Sequence, residues 1–230
     1  TFRVARFYSA VDYIQAQRIR RICQRCATNG KIIRMSDKLF KLPAQTRSKS
    51  TKSYQLRVEL KGIKPAVWRR IAVPSTIKLF LLHHILQAVM GWQGGHLHEF
   101  IFADALYGAT DEEMEPGVED ESRVSLVKAL AGSTSFTWIY DYGDYWAHKV
   151  KLERIVELGV PLGTAMCITG ANACPPEDIG GAPGYEEFLD AIRDPQHKEH
   201  QAMLQRCGGA FDPHGFDPMA AQERLSGINI

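Results

Sequence analysis

Apolar and polar residues alternate strictly where the ordered pattern of the chain begins. Residues 54–60 place Tyr, Leu, Val and Leu at every second position, which predicts a strand with one face in the core. Residues 62–65 supply turn formers, and residues 67–73 have the composition of a returning strand that Pro74 ends. The pattern therefore predicts a β-hairpin.

The apolar spacing changes to that of a helix after this hairpin. Ser75 can cap a helix that Gly91 ends in the left-handed conformation. The apolar face of this helix consists of Leu79, Leu82, Leu86 and Val89. Beyond it, the pattern predicts a short strand over 97–103 and a short helix over 124–131.

A second hairpin and a C-terminal region of different character complete the pattern. Residues 135–140 and 145–153 predict two strands joined by an Asp-Tyr-Gly-Asp turn. Residues 170–184 are rich in Pro and Gly and are interpreted as a loop. Short helices are expected around 185–193, 198–207 and 218–225.

Hairpins with interposed helices favour an α+β fold on a mainly antiparallel sheet of about five strands. A β-grasp-like topology is one arrangement compatible with this order, and the C-terminal region is expected to be helical. We predict two parts, a basic N-terminal extension and linker over 1–53 and an α+β domain over 54–230.

The net charge of +2 is the sum of two unlike parts. Residues 1–53 carry 13 Lys and Arg against 2 Asp and Glu, a balance of +11, whereas residues 54–230 carry 15 against 24, a balance of −9. This asymmetry is typical of a polyanion-binding arm or of a poorly structured tail, and composition does not choose between them. Residues 111–121 are acidic at seven of eleven positions and are interpreted as a solvated loop.

Compartment signals favour a cytoplasmic protein without a membrane partner. No window approaches the roughly 20 apolar residues of a spanning helix, and the N-terminal residues do not resemble a signal peptide. Five Cys residues without dense spacing fit a reducing compartment. Cys23 and Cys26 have C-x-x-C spacing, but no second pair of ligands lies nearby, so the zinc signal is weak.

Several residues that bind metals or transfer protons occur in the predicted hairpins and loop. His96 and His98 are two residues apart and share one face of an extended segment. Asp144, Trp146 and His148 share one face of the second hairpin by the same argument. Zinc takes three or four N, S or O ligands, which this region can supply. The hypothetical ligands of a divalent metal such as zinc are His96, His98, Asp144, His148 and Cys174.

A structural role explains the same residues without chemistry. A half-buried His148 bonded to Asp141 or Asp144 satisfies polar groups and locks the hairpin. Arg69 alternates with core positions and is expected to need an acidic partner, Glu177 or Asp178. Such ion pairs are structural more often than functional.

The most unusual local sequence is Cys-Pro-Pro-Glu-Asp-Ile-Gly-Gly over residues 174–181, which we term the Pro-Gly loop. Its prolines stiffen the chain, and its glycines permit backbone angles that are closed to other residues. The loop either clamps the C-terminal region onto the sheet or lines a ligand cleft. The candidate cleft or ligand-binding residues are Arg69, Arg70, His96, His98, Asp141, Asp144, Trp146, His148, Cys174, Glu177 and Asp178.

An ordered set of motifs runs from about residue 54 to residue 225. The motifs are LKGIKP at 60–65, WRR at 68–70, MGW at 90–92, HLHEF at 96–100, YDYGD at 140–144, ACPPED at 173–178, DPQH at 194–197 and FDP at 211–213. Together they resemble the plasmid pRiA-type ORF-3-like family, found on bacterial plasmids and mobile elements and sometimes labelled TnpR-type resolvases. The resemblance implies an α+β domain of bacterial origin, implies no mechanism, and does not cover residues 1–53.

The residues do not favour recombinase activity. A serine or tyrosine recombinase surrounds its nucleophile with several Arg residues that neutralise the phosphate in the transition state. Residues 54–230 offer few Arg beyond Arg69 and Arg70, and their charge of −9 repels a DNA backbone.

Two functions are therefore expected. The first is a non-enzymatic binding or regulatory module that contacts nucleic acid through residues 1–53 and binds a protein or small ligand through its body. The alternative is a divalent-metal-dependent hydrolase that uses the His, Asp and Cys residues named above together with the 174–178 segment.

Overall fold

The computed structural model describes residues 51–109 and 117–230. Residues 1–50 of the predicted basic extension and linker over 1–53, including the Cys23 and Cys26 pair, lie outside the described residues. The same holds for positions 110–116 of the acidic run. Among the described residues, no helix has both the length and the apolar character needed to cross a membrane.

Eight strands and five helices make up the described part of the chain. The strands are β1 (Thr51–Leu60), β2 (Trp68–Pro74), β3 (His98–Ile101), β4 (Leu106–Gly108), β5 (Val118–Asp120), β6 (Ser135–Tyr140), β7 (Trp146–Leu158) and β8 (Met166–Ala171). The helices are α1 (Leu79–Met90), α2 (Leu126–Leu130), α3 (Gly181–Arg193), α4 (His200–Arg206) and α5 (Pro218–Ser226). Each of these helices overlaps a predicted one. The predicted cap of α1 was wrong, since Lys78 and not Ser75 is its N-cap, and α3 begins at Gly181, inside the segment interpreted as a loop.

All eight strands belong to one sheet in the order β5-β4-β3-β6-β7-β1-β2-β8. Neighbouring strands are antiparallel except β4 and β5, which are parallel. The prediction of a β-grasp-like sheet of about five strands was therefore wrong, because the sheet has eight strands and is mixed, with one parallel pair among its mainly antiparallel neighbours. Strands β4 and β5 have three residues each, too few for an alternating pattern, and β8 leads into the Pro-Gly-rich segment that was interpreted as a loop.

Strand β1 is an interior strand of the sheet, and its alternation gives it an apolar inner face. Leu56, Val58 and Leu60 are completely or almost completely buried. β1 pairs with β2 on one side and with β7 on the other, where Leu60 lies opposite His148. The buried apolar residues of α1 belong to the same core cluster as this face of β1.

Helix α5 covers the exposed edge of the sheet at β8. Asp217 caps the helix, since its Oδ1 accepts the backbone N–H of Met219 at 2.8 Å, and Pro218 occupies the first turn. Gln222 of the helix accepts the N–H of Cys167 in β8 at 2.9 Å. This contact satisfies an edge donor that would otherwise be open to another strand.

Candidate functional site

The Pro-Gly loop is fastened to the sheet through its main chain. The carboxylate of Asp144 accepts the N–H of Ile179 at 3.0 Å and that of Gly180 at 3.1 Å. At the other end of the loop, Trp92 Nε1 donates to the carbonyl of Pro175 at 3.0 Å. Asp144 therefore holds the loop by hydrogen bonds to its backbone.

Glu177 fastens the middle of the loop. Its carboxylate accepts the hydroxyl of Tyr140 at 2.7 Å and the backbone N–H of Gln93 at 3.0 Å. Burial, followed by the hydrogen bond to Glu177, raises the pKa of Tyr140 well above its ordinary value. Tyr140 therefore stays protonated and remains a donor to Glu177 at any physiological pH.

Two glycines allow the loop and helix α3 to approach the chain more closely than a side chain permits. A Cβ atom at Gly184 would collide with the carbonyl oxygen of Ile179, and one at Gly181 would lie 2.5 Å from that of Asp144. These contacts support the interpretation of the loop as a clamp.

A cleft of about 350 Å³ lies beside the same loop. It is lined by Met90, Gly91, Trp92, Gln93, Cys174, Pro175, Pro176, Glu177, Arg206, Cys207 and Phe211. These residues come from the end of α1, the Pro-Gly loop, the end of α4 and the segment before α5. The loop thus clamps the C-terminal region and also lines this cleft.

Arg69 is buried but does not pair with Glu177 or Asp178, so that expectation was wrong. Its Nη1 donates to the carbonyls of Trp68 and Ala171, both at 2.9 Å, and its Nε donates to that of Val89 at 3.2 Å. The guanidinium also stacks over Phe216, 4.0 Å from the ring centroid. Main-chain carbonyls and an aromatic face take the place of a carboxylate. The carbonyls are available because β2 begins, and β8 and α1 end, beside this side chain.

Arg70 lies on the opposite face of β2 and forms an ion pair with Glu153. Its Nη2 is 3.0 Å from Glu153 Oε1. The hydrogen bond from Arg70 lowers the pKa of Glu153 to about 2. This pair lies on the partly exposed face of β2 and β7, away from the cleft-lining residues.

His148 points inward, as its position in the hairpin predicts, and is fully buried. Its Nδ1 lies 3.3 Å from the carbonyl oxygen of Trp138 rather than beside Asp141 or Asp144, so the expected carboxylate partner was wrong. Burial lowers the pKa of His148 to about 3. Trp146, its neighbour on this face, is also buried. A neutral imidazole in this setting packs in the core.

His98 pairs with a residue that sequence reasoning missed. Its Nε2 lies 2.8 Å from Glu121 Oε2, and both side chains are almost completely buried. Residue 121 is therefore not part of a solvated loop, and 118–120 form strand β5. No local signal identifies Glu121, because its neighbours in the sequence are all acidic or polar and its burial depends on the parallel pairing of β4 with β5.

His96, Asp141 and Asp178 converge at the exposed end of the sheet. His96 Nδ1 lies 3.4 Å from Asp141 Oδ2, and its Nε2 lies 3.6 Å from Asp178 Oδ1. Asp141 is buried, His96 is half-buried, and Asp178 is exposed. Within the described residues, these three form the one group of His, Cys, Asp or Glu side chains whose potential metal-ligand atoms all lie within 4.8 Å of one another.

The five hypothetical zinc ligands do not meet at one point. His98 is bonded to Glu121, Asp144 to the Pro-Gly loop, and His148 to the core carbonyl of Trp138. Burial raises the pKa of Cys174 to about 12, which keeps this half-buried thiol protonated. Of the five, His96 alone belongs to the cluster of potential ligands found among the described residues.

Comparisons with known proteins agree on the family and leave the activity open. The model of the plasmid pRiA4b ORF-3-like protein family matches residues 52–220. The uncharacterized protein y4hQ of Sinorhizobium fredii is 44% identical over 158 residues, which cover 68% of this chain and 81% of that protein. The crystal structure of MM3350, a protein of unknown function from Methanosarcina mazei Go1, superimposes with a TM-score of 0.67 at 36% identity, covering 74% of this chain and 97% of that one. This chain is a member of the plasmid pRiA4b ORF-3-like family.

Proposed function

We propose that the domain is a non-enzymatic binding module whose ligand occupies the cleft beside the Pro-Gly loop. The observation that carries the proposal is that the walls of the cleft are already held in place. Trp92 is bonded to Pro175, and Glu177 is bonded to Tyr140 and Gln93. Preformed clefts of about 300–1,000 Å³ are typical of small-molecule sites, and a rigid wall lowers the entropy cost of binding.

The arrangement of reactive side chains favours binding over hydrolysis. A hydrolase needs a nucleophile or a general base with a pKa near the working pH. Cys174 has a raised pKa, and His148 has a lowered one and lies in the core. Asp144 and Glu177 already accept hydrogen bonds from the backbone. These groups therefore hold the structure together.

The lining of the cleft suggests a ligand with an apolar body and an acidic group. Met90, Trp92 and Phe211 supply apolar surface. Arg206 supplies a cation, and one of its N–H groups is already donated to the carbonyl of Asp178 at 2.7 Å. A guanidinium has five N–H donors, so others remain for a carboxylate.

Ligand-observed NMR with a panel of small aromatic and aliphatic carboxylic acids tests this proposal. Gln93→Trp narrows the cleft by changing an exposed side chain, and Gln196→Trp is the matched control because Gln196 is exposed and does not line the cleft. We expect binders of the unmodified protein to be lost in Gln93→Trp and kept in Gln196→Trp. Arg206→Gln should weaken the binding of the acids but not that of their neutral amides. Binding that is unaffected by Gln93→Trp, or an absence of binders, would refute the proposal.

The charge asymmetry of the chain favours a second role, electrostatic contact with nucleic acid through residues 1–53. These residues carry +11, whereas the remaining chain carries −9. Phosphate contacts by Lys and Arg dominate non-specific affinity, and acidic surface opposes it. In this proposal the basic segment supplies the affinity, and the domain contributes little to it.

A further inference from the structure

The geometry points to a binding site for a divalent transition-metal ion, zinc in the first instance, at His96, Asp141 and Asp178. The site is separate from the cleft, and the cleft proposal does not depend on it. Its three residues come from three segments of the chain: the segment before β3, the end of β6, and the Pro-Gly loop.

The hydrogen-bonding needs of His96 supply the first argument. A carboxylate faces each ring nitrogen, Asp141 at Nδ1 and Asp178 at Nε2. A neutral imidazole has one N–H, so it can donate to one of these carboxylates while its other nitrogen turns a lone pair toward the second. A cation between Nε2 and Asp178 removes this conflict, because both the lone pair and the carboxylate then face positive charge.

The distances supply the second argument. Zinc–nitrogen and zinc–oxygen bonds of about 2.0–2.2 Å at tetrahedral angles place two ligand atoms about 3.4 Å apart. His96 Nε2 and Asp178 Oδ1 are 3.6 Å apart, which is longer than a good hydrogen bond. The separation therefore fits two ligands of one ion better than it fits a donor and its acceptor.

Asp141 faces Nδ1 of His96, the ring nitrogen that does not bind the ion, where a carboxylate commonly accepts the second N–H of a metal-bound histidine. Its Oδ1 accepts the N–H of Gly143 at 2.9 Å, which leaves Oδ2 facing His96 Nδ1. At 3.4 Å this contact is also longer than a good hydrogen bond. We expect it to shorten on metal binding, so that the carboxylate holds the Nδ1–H tautomer and the Nε2 lone pair points to the ion and becomes more basic. Asp141 is buried and fixed, whereas the Asp178 side chain is 70% exposed. An ion therefore enters from the Asp178 side and keeps water in its remaining positions.

The choice of ion follows from the ligand types. Imidazole binds zinc and other first-row transition ions well, whereas magnesium and calcium prefer sites made only of oxygen ligands. Few protein ligands and an exposed carboxylate predict a modest affinity and an exchangeable ion, in contrast to a closed structural zinc site.

Calorimetric titration of the full, untagged chain with zinc, and separately with magnesium, tests the inference. We expect His96→Ala to lose one equivalent of zinc, Asp178→Asn to weaken zinc binding at least about tenfold, and Asp141→Asn to weaken it by about 10- to 100-fold. The matched controls are His214→Ala and Asp104→Asn, which change exposed residues outside the site. The Cys23 and Cys26 pair stays intact in every variant, so any zinc that it binds cancels in the comparison.

The tautomer of His96 provides a second readout that does not depend on stoichiometry. In ¹⁵N-histidine spectra, zinc should shift Nε2 of one histidine and leave its Nδ1 protonated, and this signal should be missing in His96→Ala. Three results would each overturn the inference: equal zinc uptake by the unmodified chain and Asp178→Asn, an equal decrease in the Asp104→Asn control, or a His96 ring protonated at both nitrogens in excess zinc. Asp178→Asn changes an exposed side chain, so it decides the question even if His96→Ala does not fold.

Discussion

Two buried histidines make the stability of this domain strongly dependent on pH. His83 lies inside α1, is 5% exposed and stacks on His98 with a centroid separation of 3.3 Å. Burial, and then the proximity of His98 and His84, lower the pKa of His83 to about 2. Burial lowers the pKa of His148 to about 3. Both rings are therefore neutral in the folded protein throughout the mildly acidic range.

The sign and size of the effect follow from proton linkage. A histidine in the unfolded chain has a pKa of about 6.5, so below that pH the unfolded state binds protons that the folded state does not. The free energy of unfolding consequently decreases as the pH falls. Between about pH 6.5 and 4.5 each buried histidine costs about 2.3 kcal/mol, or about 5 kcal/mol for the two together. Domains are typically stable by about 5–15 kcal/mol, so this decrease is a large part of the total.

Urea denaturation followed by circular dichroism at about pH 7.0, 5.5 and 4.5 measures this dependence. His83→Phe keeps an aromatic ring against His98 and removes the titrating group, so the slope should decrease by about 1.4 kcal/mol per pH unit below about pH 6. The series stops at about pH 4.5 because a second contribution to the pH dependence of stability begins below that pH. Its source is the ion pair with Arg70, which lowers the pKa of Glu153 to about 2.

The exposed His214 provides the control, since His214→Ala should leave the slope of the unmodified protein unchanged. A free energy of unfolding that stays constant between about pH 6.5 and 4.5 would refute the assignment of buried neutral histidines. A His83→Phe variant with an unchanged slope would refute the role of His83 in particular.

Three further perturbations test the clamp, the buried cation and the basic segment. Gly184→Ala should destabilise the fold by about 3 kcal/mol in thermal unfolding, because its Cβ would collide with the Ile179 carbonyl. Gly163→Ala, whose Cβ meets nothing within 4 Å, should be tolerated in the same assay. Arg69→Lys should lower the free energy of unfolding by about 2–3 kcal/mol in urea denaturation, because an ammonium cannot donate to three carbonyls and stack on an aromatic face at once. An unchanged free energy of unfolding would contradict this geometry. Replacing the four Arg residues within 18–25 by Gln should make DNA binding less dependent on salt. The slope of log affinity against log salt concentration should fall by about 0.9 for each phosphate that the segment no longer neutralises. An unchanged slope would show that this segment does not contact DNA.

The central strands and the helices were predictable because each carries its own periodicity. The alternation from Tyr54 to Leu60 identifies both β1 and its buried face. The apolar spacing of α1 and the left-handed stop at Gly91 identify that helix and its end. The inward direction of His148 follows from the same alternation in β7. In these elements, local sequence and final environment agree.

The edge strands were not predictable because their pairing depends on distant partners. β4 and β5 are three residues long, and their parallel pairing is a tertiary arrangement that periodicity over three residues does not reveal. β8 pairs with β2 through a register shift beside Ile71. The burial of Glu121 is a consequence of this pairing, and composition alone assigned it to solvent.

The hydrogen-bond partners of the polar core residues also lie beyond sequence reasoning. The sequence places Arg69 and His148 inward, which suggests carboxylate partners for both. Each side chain instead bonds to main-chain carbonyls. Every residue carries a carbonyl, so nothing in the residue types marks which carbonyls will be left without a strand or helix partner.

The convergence of His96 with Asp141 and Asp178 depends on the backbone at both aspartates. Asp141 and Asp178 adopt left-handed conformations, with φ of 60° and 55°. Asp enters this region more readily than most residues, but the sequence does not say where it will do so. Residues in sparsely populated conformations persist when their surroundings determine them.

The hydrogen bonds around Asp178 show what fixes it in this conformation. Glu177, immediately before it, is fastened to Tyr140, and the N–H groups of Ile179 and Gly180, immediately after it, are fastened to Asp144. The clamp thus sets the position of the Asp178 backbone and, through Glu177, one wall of the cleft. The two sites share this support and the hydrogen bond from Arg206 to the Asp178 carbonyl, but they use different side chains. Asp144→Asn should therefore weaken both zinc and carboxylic acid binding, whereas Asp178→Asn, which keeps that carbonyl, should weaken zinc binding alone. This pair of variants separates a loop that positions two sites from two sites that are merely neighbours.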